Sequence, residues 1–441
     1  MRGASYKFVL LASAAAAMTV ARTAEVQAGA FGIQDQSTYW EGSAFAGAAA
    51  GGTPSSMFWN PATMTQNAGL SADISFTGII PWATNTVTSG TLAALGGTNN
   101  MANSAFVPSG AATWQLTQNL WVGVSLNAPF GLSTDFPNAW AGRDYALSSD
   151  LRTYNASPSV AVKLNDWISI GVGAQIQYAI QDLQTGLSAV SLSEFADAHG
   201  NGWGYGATAG VTLTPTPDTK LGLGWRSAIN QDINATLITS PVVLPPISGS
   251  TLGAVTSTLK LPDMVTGSFS QRLSNQFTLL GTVEWTDWSR IGTSTALQPS
   301  GAPATILGVP FSVPFQYKDG WFFSLGGEYR YDARLLLRGG VAYEISPVTD
   351  QVRTPEVPDT NRVWLSLGAS YLVAPNLNLD VGYSHIFMQD APINITATSG
   401  NPFYNGVTSY TGTVSPHIDI LTLGLRYQWY QPETKPLITK G

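Results

Sequence analysis

From residue 69 to residue 430 the chain alternates apolar and polar residues with a period of two, and the connections between its alternating stretches are short and long by turns. Successive side chains of an extended strand point to opposite faces, so this period means one apolar and one polar face. Between Trp167 and Ile180, the residues Ile168, Ile170, Val172, Ala174, Ile176, Tyr178 and Ile180 share a face, with Ser169, Gly171, Gly173, Gln175 and Gln177 opposite. Val363, Leu365, Leu367, Ala369, Tyr371 and Val373 repeat the pattern, as do Leu421, Leu423, Leu425, Tyr427 and Trp429. A soluble sandwich would alternate in the same way, so the connections decide. Short ones occur at Thr117–Asn119, Leu164–Asp166, Pro215–Asp218, Leu273–Asn275, Tyr331–Ala333 and Ala374–Asn376. Long ones fall between them, near 82–102, 131–150, 185–202, 238–252, 291–315, 346–361 and 389–415. Tight turns at one end and long loops at the other are the layout of a bacterial transmembrane barrel.

Composition points the same way. Only 11% of the residues are charged, against about 25% in soluble domains. Yet no internal stretch approaches the roughly 18 to 20 unbroken apolar residues of a membrane helix. Strands that show one face to lipid and the other to a lumen reconcile the two observations. Six turns and seven loops join fourteen strands, expected at 69–81, 103–117, 120–130, 151–164, 167–184, 203–214, 219–237, 253–272, 276–292, 316–331, 334–345, 362–373, 377–388 and 416–430. The expected fold class is all-β, a 14-stranded antiparallel transmembrane barrel with an N-terminal plug segment. Aromatic girdles are expected at the strand ends from Trp114, Trp121, Trp167, Trp285, Trp288, Trp321, Tyr331, Tyr371 and Trp429, because amphipathic rings favour the headgroup level.

Residues 1–28 read as a secretory signal. Arg2 and Lys7 precede a short apolar core at Phe8–Val20, and Val26-Gln27-Ala28 suits cleavage after Ala28. Residues 29–68 do not alternate; they are small and flexible, with AFAGAAAGG at 44–52. A fourteen-strand barrel is too wide for side chains alone to fill, so this segment is expected to fold into the lumen, ahead of the barrel at 69–430 and a tail at 431–441. The net charge of −7 disfavours nucleic acid as a partner. No nucleophile, metal cluster or nucleotide loop stands out, so neither an enzyme nor a cofactor is expected. Ser384 and His385 are adjacent on a strand and point to opposite faces.

The ordered blocks of the chain carry a resemblance. They are AGAFGIQDQSTYWEGSAFAGAAAGGTPSSMFWNPATM ending in Asn60, Pro61 and Ala62, then PFGLSTDF at 129–136, GWGYGATAGV at 202–211, LGLGWRS at 221–227, LKLPDM at 259–264, EWTDWS at 284–289, YKDGW at 317–321 and PDTNRVWLSLGASY at 358–371. In this order they resemble the FadL family, the outer-membrane long-chain fatty acid transporters and their aromatic-hydrocarbon relatives. The resemblance implies a plugging hatch that contains the Asn60-Pro61-Ala62 motif, with no energy coupling of its own. It implies ligand capture in an apolar groove of the outer loops, transfer to a tighter lumenal site, and sideways exit into the membrane where the third strand kinks. Pro129, Phe130 and Gly131 fall at that kink. Proline cannot donate a ladder bond, and glycine allows angles that other residues resist.

The chain departs from the pattern in the lumen. Where the fatty acid porters place bases for the carboxylate, Thr185 and Val313 stand, and Lys318 matches a different lysine. Arg338, Arg362 and Arg426 alternate toward the lumen and are candidates to meet a ligand's polar end. The function expected is passive outer-membrane passage of hydrophobic compounds, long-chain fatty acids first. The alternatives are an aromatic or alkane channel of the same family, and a polar porin or surface-binding barrel. Apolar loop runs at 91–106 and 241–251 favour greasy ligands. The implied surroundings are a hydrophobic small molecule, outer-membrane lipid and lipopolysaccharide, and the barrel assembly machinery, with the protein as a monomer.

Overall fold

The computed structural model describes residues 29–187, 194–239, 253–306 and 308–430. The expected signal at 1–28, the tail at 431–441 and the apolar run at 241–251 lie outside these residues.

Fourteen strands, four of them interrupted, close into one antiparallel barrel. They are β1 (Leu70–Gly90), β2 (Ala105–Gln115), β3 (Leu120–Asn127 and Gly131–Asp135), β4 (Ser148–Lys163), β5 (Ile168–Gly186), β6 (Phe195–Thr216) and β7 (Thr219–Arg226 and Ile229–Thr239). Then follow β8 (Gly253–Leu261 and Met264–Arg272), β9 (Phe277–Thr286), β10 (Gly320–Arg330), β11 (Leu335–Ile345), β12 (Arg362–Ala374), β13 (Leu377–Met388 and Ala391–Ile395) and β14 (Tyr410–Tyr430). Neighbours in sequence pair around the wall, and β1 closes the ring on β14 from Leu70↔Tyr430 to Gly90↔Tyr410. Closure leaves no sheet edge, which is what lets strands cross a hydrocarbon layer.

The period-two pattern sorts as expected. On β12, Val363, Leu365 and Leu367 are exposed while Arg362, Trp364 and Ser366 are buried. On β5, Ile170, Val172 and Ile176 are exposed, and Ser169, Gln175 and Gln177 are buried. A wall greasy outside and polar inside is the reverse of a soluble protein. Trp114, Trp167, Trp321, Tyr331 and Tyr371 point outward, as a girdle requires. Two of the expected girdle residues do not. Trp121 lies on the inward set of β3 and donates its indole N–H to the Asn67 carbonyl at 2.8 Å. Trp288 falls beyond the end of β9, on a 3-10 turn (Trp288–Ile291) that folds inward.

Several strand ends also differ from expectation. β1 runs to Gly90 rather than 81, β6 begins at Phe195 rather than 203, and β14 begins at Tyr410 rather than 416. The inward residues of these extensions, such as Ala83, Ala196, Tyr410 and Val414, are buried, so the ladder continues where the alternation in the sequence has stopped. β9, by contrast, stops at Thr286 rather than 292, and β10 starts at Gly320 rather than 316.

Residues 29–68 precede β1 as α1 (Thr38–Glu41) and 3-10 turns at Ala48–Ala50, Pro54–Phe58 and Pro61–Gln66. The segment reaches strands all around the wall. The Gly47 N–H donates to Thr282 Oγ1 (3.0 Å), the Ala49 N–H to Ser268 Oγ (3.1 Å) and the Ser55 N–H to Asp73 (2.7 Å). These contacts depend on thin positions in the strands. A methyl at Gly210, Gly222, Gly224 or Gly340 would overlap Asn60, Ala49, Trp59 or Ser43 respectively. The alternating glycines of the sequence are therefore packing positions for another part of the same chain.

Candidate functional site

The wall is broken between β2 and β3. These strands pair from Gln115↔Trp121 to Gly110↔Leu126 and then part. They meet again at Ala102↔Thr134, where the same register resumes, so the break is a window bounded above and below. Pro108 of β2 and Pro129 of β3 both lie in it, and neither has an N–H to offer. On its other side β3 bulges. The register passes from Asn127↔Asn155 to Gly131↔Arg152, so three residues of β3 oppose two of β4.

The backbone groups at the kink find other partners. Ile33 N–H donates to the Pro129 carbonyl (2.9 Å), and Gly131 N–H donates to the Phe31 carbonyl (2.8 Å). The Thr153 hydroxyl accepts from Phe130 N–H (3.0 Å) and donates to the Phe130 carbonyl (2.6 Å). Pro129, Phe130 and Gly131 thus come together at the break. Gly131, however, has no positive φ and opens the outer half of β3 in extended geometry. The break comes from the two prolines and the bulge, not from a left-handed glycine.

Directly behind the window lies an aromatic cluster. The Phe31 ring packs edge-on against Trp288 at 4.8 Å between centroids, with Phe130 at 6.4 Å and Phe315 at 6.0 Å. Trp288 also meets Phe130 at 6.0 Å and Tyr317 at 6.3 Å. Edge-on rings at these separations are the favoured arrangement. Leu132, Leu151, Leu259, Val348, Val352 and Val357 complete one apolar body with them, and Val313 packs against it. Two clefts continue this body. One is lined by Pro81, Met101, Leu132, Met388 and Ile418 among others. The second shares Leu259, Val313 and Phe315 with the cluster and adds Gln181, Ser257 and Ser294 as polar groups. Convergent apolar walls with a few polar groups are the usual character of a small-molecule site.

Burial pushes the Glu356 carboxyl up to about 8 and holds the Tyr317 hydroxyl well above its ordinary range. Thr185 and Val313, at the positions matched to the lumenal bases, bring no charge, and Lys318 is exposed.

The three arginines singled out from the sequence sit elsewhere. Arg426 forms an ion pair with Asp380 at 2.6 Å and Arg338 approaches the same carboxylate at 3.7 Å, while both guanidinium groups stack on the Tyr39 ring at 4.5 and 3.9 Å. Arg362 binds Asp359 and lies 3.5 Å from Glu344. Asp359 also accepts from Ala30 N–H (2.8 Å) and the Ser346 hydroxyl (2.6 Å). None of the three arginines is among the lining residues of either cleft. Asn60 caps the turn at Pro61–Gln66 by accepting from Ala62 N–H at 3.0 Å, and its amide donates to the carbonyls of Ala49 and Val211, both at 2.9 Å. Pro61 holds the first position of that turn. Phe31, Trp288, Phe315 and Tyr317 were not singled out as site residues from the sequence; they lie in the N-terminal segment and at the two ends of the loop between β9 and β10. Pro108, a proline within an expected strand, was not singled out either.

A comparison with known proteins decides the identity. The model of the family described as outer membrane protein transport protein (OMPP1/FadL/TodX) matches residues 19–429. The chain belongs to the OMPP1/FadL/TodX family. It is therefore a Gram-negative outer-membrane barrel of a family of hydrophobic-compound transport channels, not enzymes. The long-chain fatty acid transport protein of Salmonella typhi is 29% identical over 323 residues, covering 67% of this chain and 73% of that one. Outer membrane protein P1 of Haemophilus influenzae is 27% identical, covering 91% and 95%. The crystal structure of a Pseudomonas aeruginosa FadL homologue superposes with a TM-score of 0.80 at 21% identity, over 91% of this chain and all of that one. The Ralstonia pickettii toluene transporter TbuX gives 0.64 at 19% identity, over 90% and 99%. At those identities the two structures speak for the fold of this FadL-family barrel.

Proposed function

We propose that this protein admits long-chain fatty acids and similar elongated hydrophobes, and that residues 29–68 plug the lumen so that ligand leaves through the window rather than along the barrel axis. The observation that carries this reading is the aromatic cluster placed immediately behind the β2–β3 break, with Phe130 belonging to both. A greasy solute leaving there enters lipid directly and never crosses the polar surface layer. The clefts share Leu132, Leu259, Val313 and Phe315 with the cluster, and a joined apolar lining of this kind suits an extended chain better than a single ring. Gln181 and the paired hydroxyls of Ser257 and Ser294 (2.7 Å apart) offer neutral hydrogen bonds to a carboxylate end. The arginines, already engaged by carboxylates, hold the plug to the wall in this reading.

A second reading has its own support. With no base at positions 185 and 313, a neutral monoaromatic loses nothing relative to a fatty acid there. Uptake of oleate and of toluene by cells lacking their own porter separates the two. Preferential oleate uptake, reduced by Val313→Trp, is expected. Toluene uptake without oleate uptake supports the second reading, while rapid sugar passage in liposomes with neither ligand taken up overturns both.

A further inference from the structure

If the β2–β3 ladder continued through the window in register, Pro108 would lie opposite Ala128. Proline has no N–H for the Ala128 carbonyl, and the strands have parted in any case. The missing bonds are supplied by one side chain. The Gln36 amide donates to the Ala128 carbonyl at 2.8 Å, and its oxygen accepts from Ala128 N–H at 3.2 Å, the two bonds that a neighbouring strand would make. A third bond, to the Ile33 carbonyl at 3.0 Å, satisfies the other amide hydrogen. The Gln36 backbone carbonyl then accepts from the Ser109 hydroxyl of β2 at 2.9 Å. One residue thus bridges both lips of the window from inside. It is fully buried, and Ile33, Val107 and Ala128 pack around it as part of the central apolar cluster.

We propose that Gln36 is the latch of the window, a positioning residue that stands in for the absent strand bonds and holds β2 and β3 together until ligand passes. The inference rests on the lateral-exit reading given above. A primary amide suits the task because it carries a donor and an acceptor side by side, as a peptide group does, and a buried amide is tolerated only when both are satisfied. An apolar residue of the same size would fill the space and fasten nothing.

Hydrogen–deuterium exchange on the full protein in detergent micelles, read by mass spectrometry, tests the latch directly. In Gln36→Ala, and in Gln36→Glu, which keeps the acceptor and loses the donor, exchange over 127–131 should rise at least tenfold while β5 and β6 stay protected. Ser109→Ala should raise exchange over 104–109 alone. Oleate uptake by cells carrying Gln36→Ala should rise in maximal rate, a gain that mere structural damage would not give. Unchanged exchange over 127–131 in both Gln36 variants overturns the latch. Raised exchange with unchanged uptake leaves the latch in place and assigns the failure to the lateral-exit reading.

Discussion

At the scale of single residues, the polar groups inside this barrel hold one part of the chain against another. Asn60 makes three hydrogen bonds that join the N-terminal segment to itself and to β6. Asn60→Ala removes the cap and strands two carbonyls, at a cost of about 1–3 kcal/mol for each buried group left unsatisfied. The barrel should still form, and limited proteolysis should cut within 29–68 in the variant before it does so in the wild type. Equal protection of the two would remove the anchoring role. Arg362 is a stricter case, since Arg362→Met leaves Asp359 and Glu344 facing each other without their cation. Breaking a buried pair from one side costs roughly 3–5 kcal/mol. The expected outcome is a lowered unfolding temperature with ligand affinity per folded molecule unchanged; a selective loss of fatty acid affinity would make Arg362 a ligand contact after all. The sequence showed these arginines as lumen-facing, but not that Tyr39 and three carboxylates already occupy them, because all of those partners but Asp359 come from other strands and turns.

At the scale of elements, close approach and loop burial make the predictions. Gly222 of β7 touches the Ala49 backbone so tightly that a methyl overlaps its carbonyl oxygen. Gly222→Ala should displace the Ala48–Ala50 turn at about 1–3 kcal/mol of overpacking strain, visible as new channel conductance in planar bilayers; a silent bilayer would count against the fit. The loop between β11 and β12 folds inward, with residues 352–360 buried, and carries Glu356. Burial raises its carboxyl from the ordinary 4.5 to about 8 in the folded loop, so the folded loop binds the proton more tightly than the open one. Its contribution to loop stability is full below 4.5 and is lost as pH rises toward 8. Amide exchange in 346–361, corrected for its intrinsic pH dependence, should therefore quicken from pH 5 to pH 9, and Glu356→Gln should flatten the trend. A trend that survives in the glutamine variant would point to another group. The window was half legible at this scale: Pro129 was singled out, yet Pro108 lies almost as far before the turn at Thr117–Asn119 as Pro129 lies after it, so the two were bound to meet in a hairpin.

At the scale of the whole molecule, a ring of fourteen strands encloses more space than its own side chains fill, and residues 29–68, packed against the inward faces of the strands, are proposed to fill it. A chain lacking residues 29–68 should insert as a barrel and pass sugars and ions freely in liposomes, whereas the full chain should not. If both are equally tight, some other element closes the lumen. The barrel's outer face, its even strand number and its turn-and-loop asymmetry were all legible beforehand, because each is a local periodic property read one strand at a time.

What the sequence by itself determined is the wall: a period of two, few charges, tight turns alternating with long loops, and hence a closed fourteen-stranded barrel in the outer membrane. The tertiary structure alone decided what the wall encloses and where it opens. Strand alternation depends on neighbours one and two residues away. The window, the aromatic cluster behind it and the Gln36 bonds depend on partners up to 284 residues apart, such as Phe31 and Phe315. Nothing local in either residue announces the other, and only closure of the barrel brings them into contact.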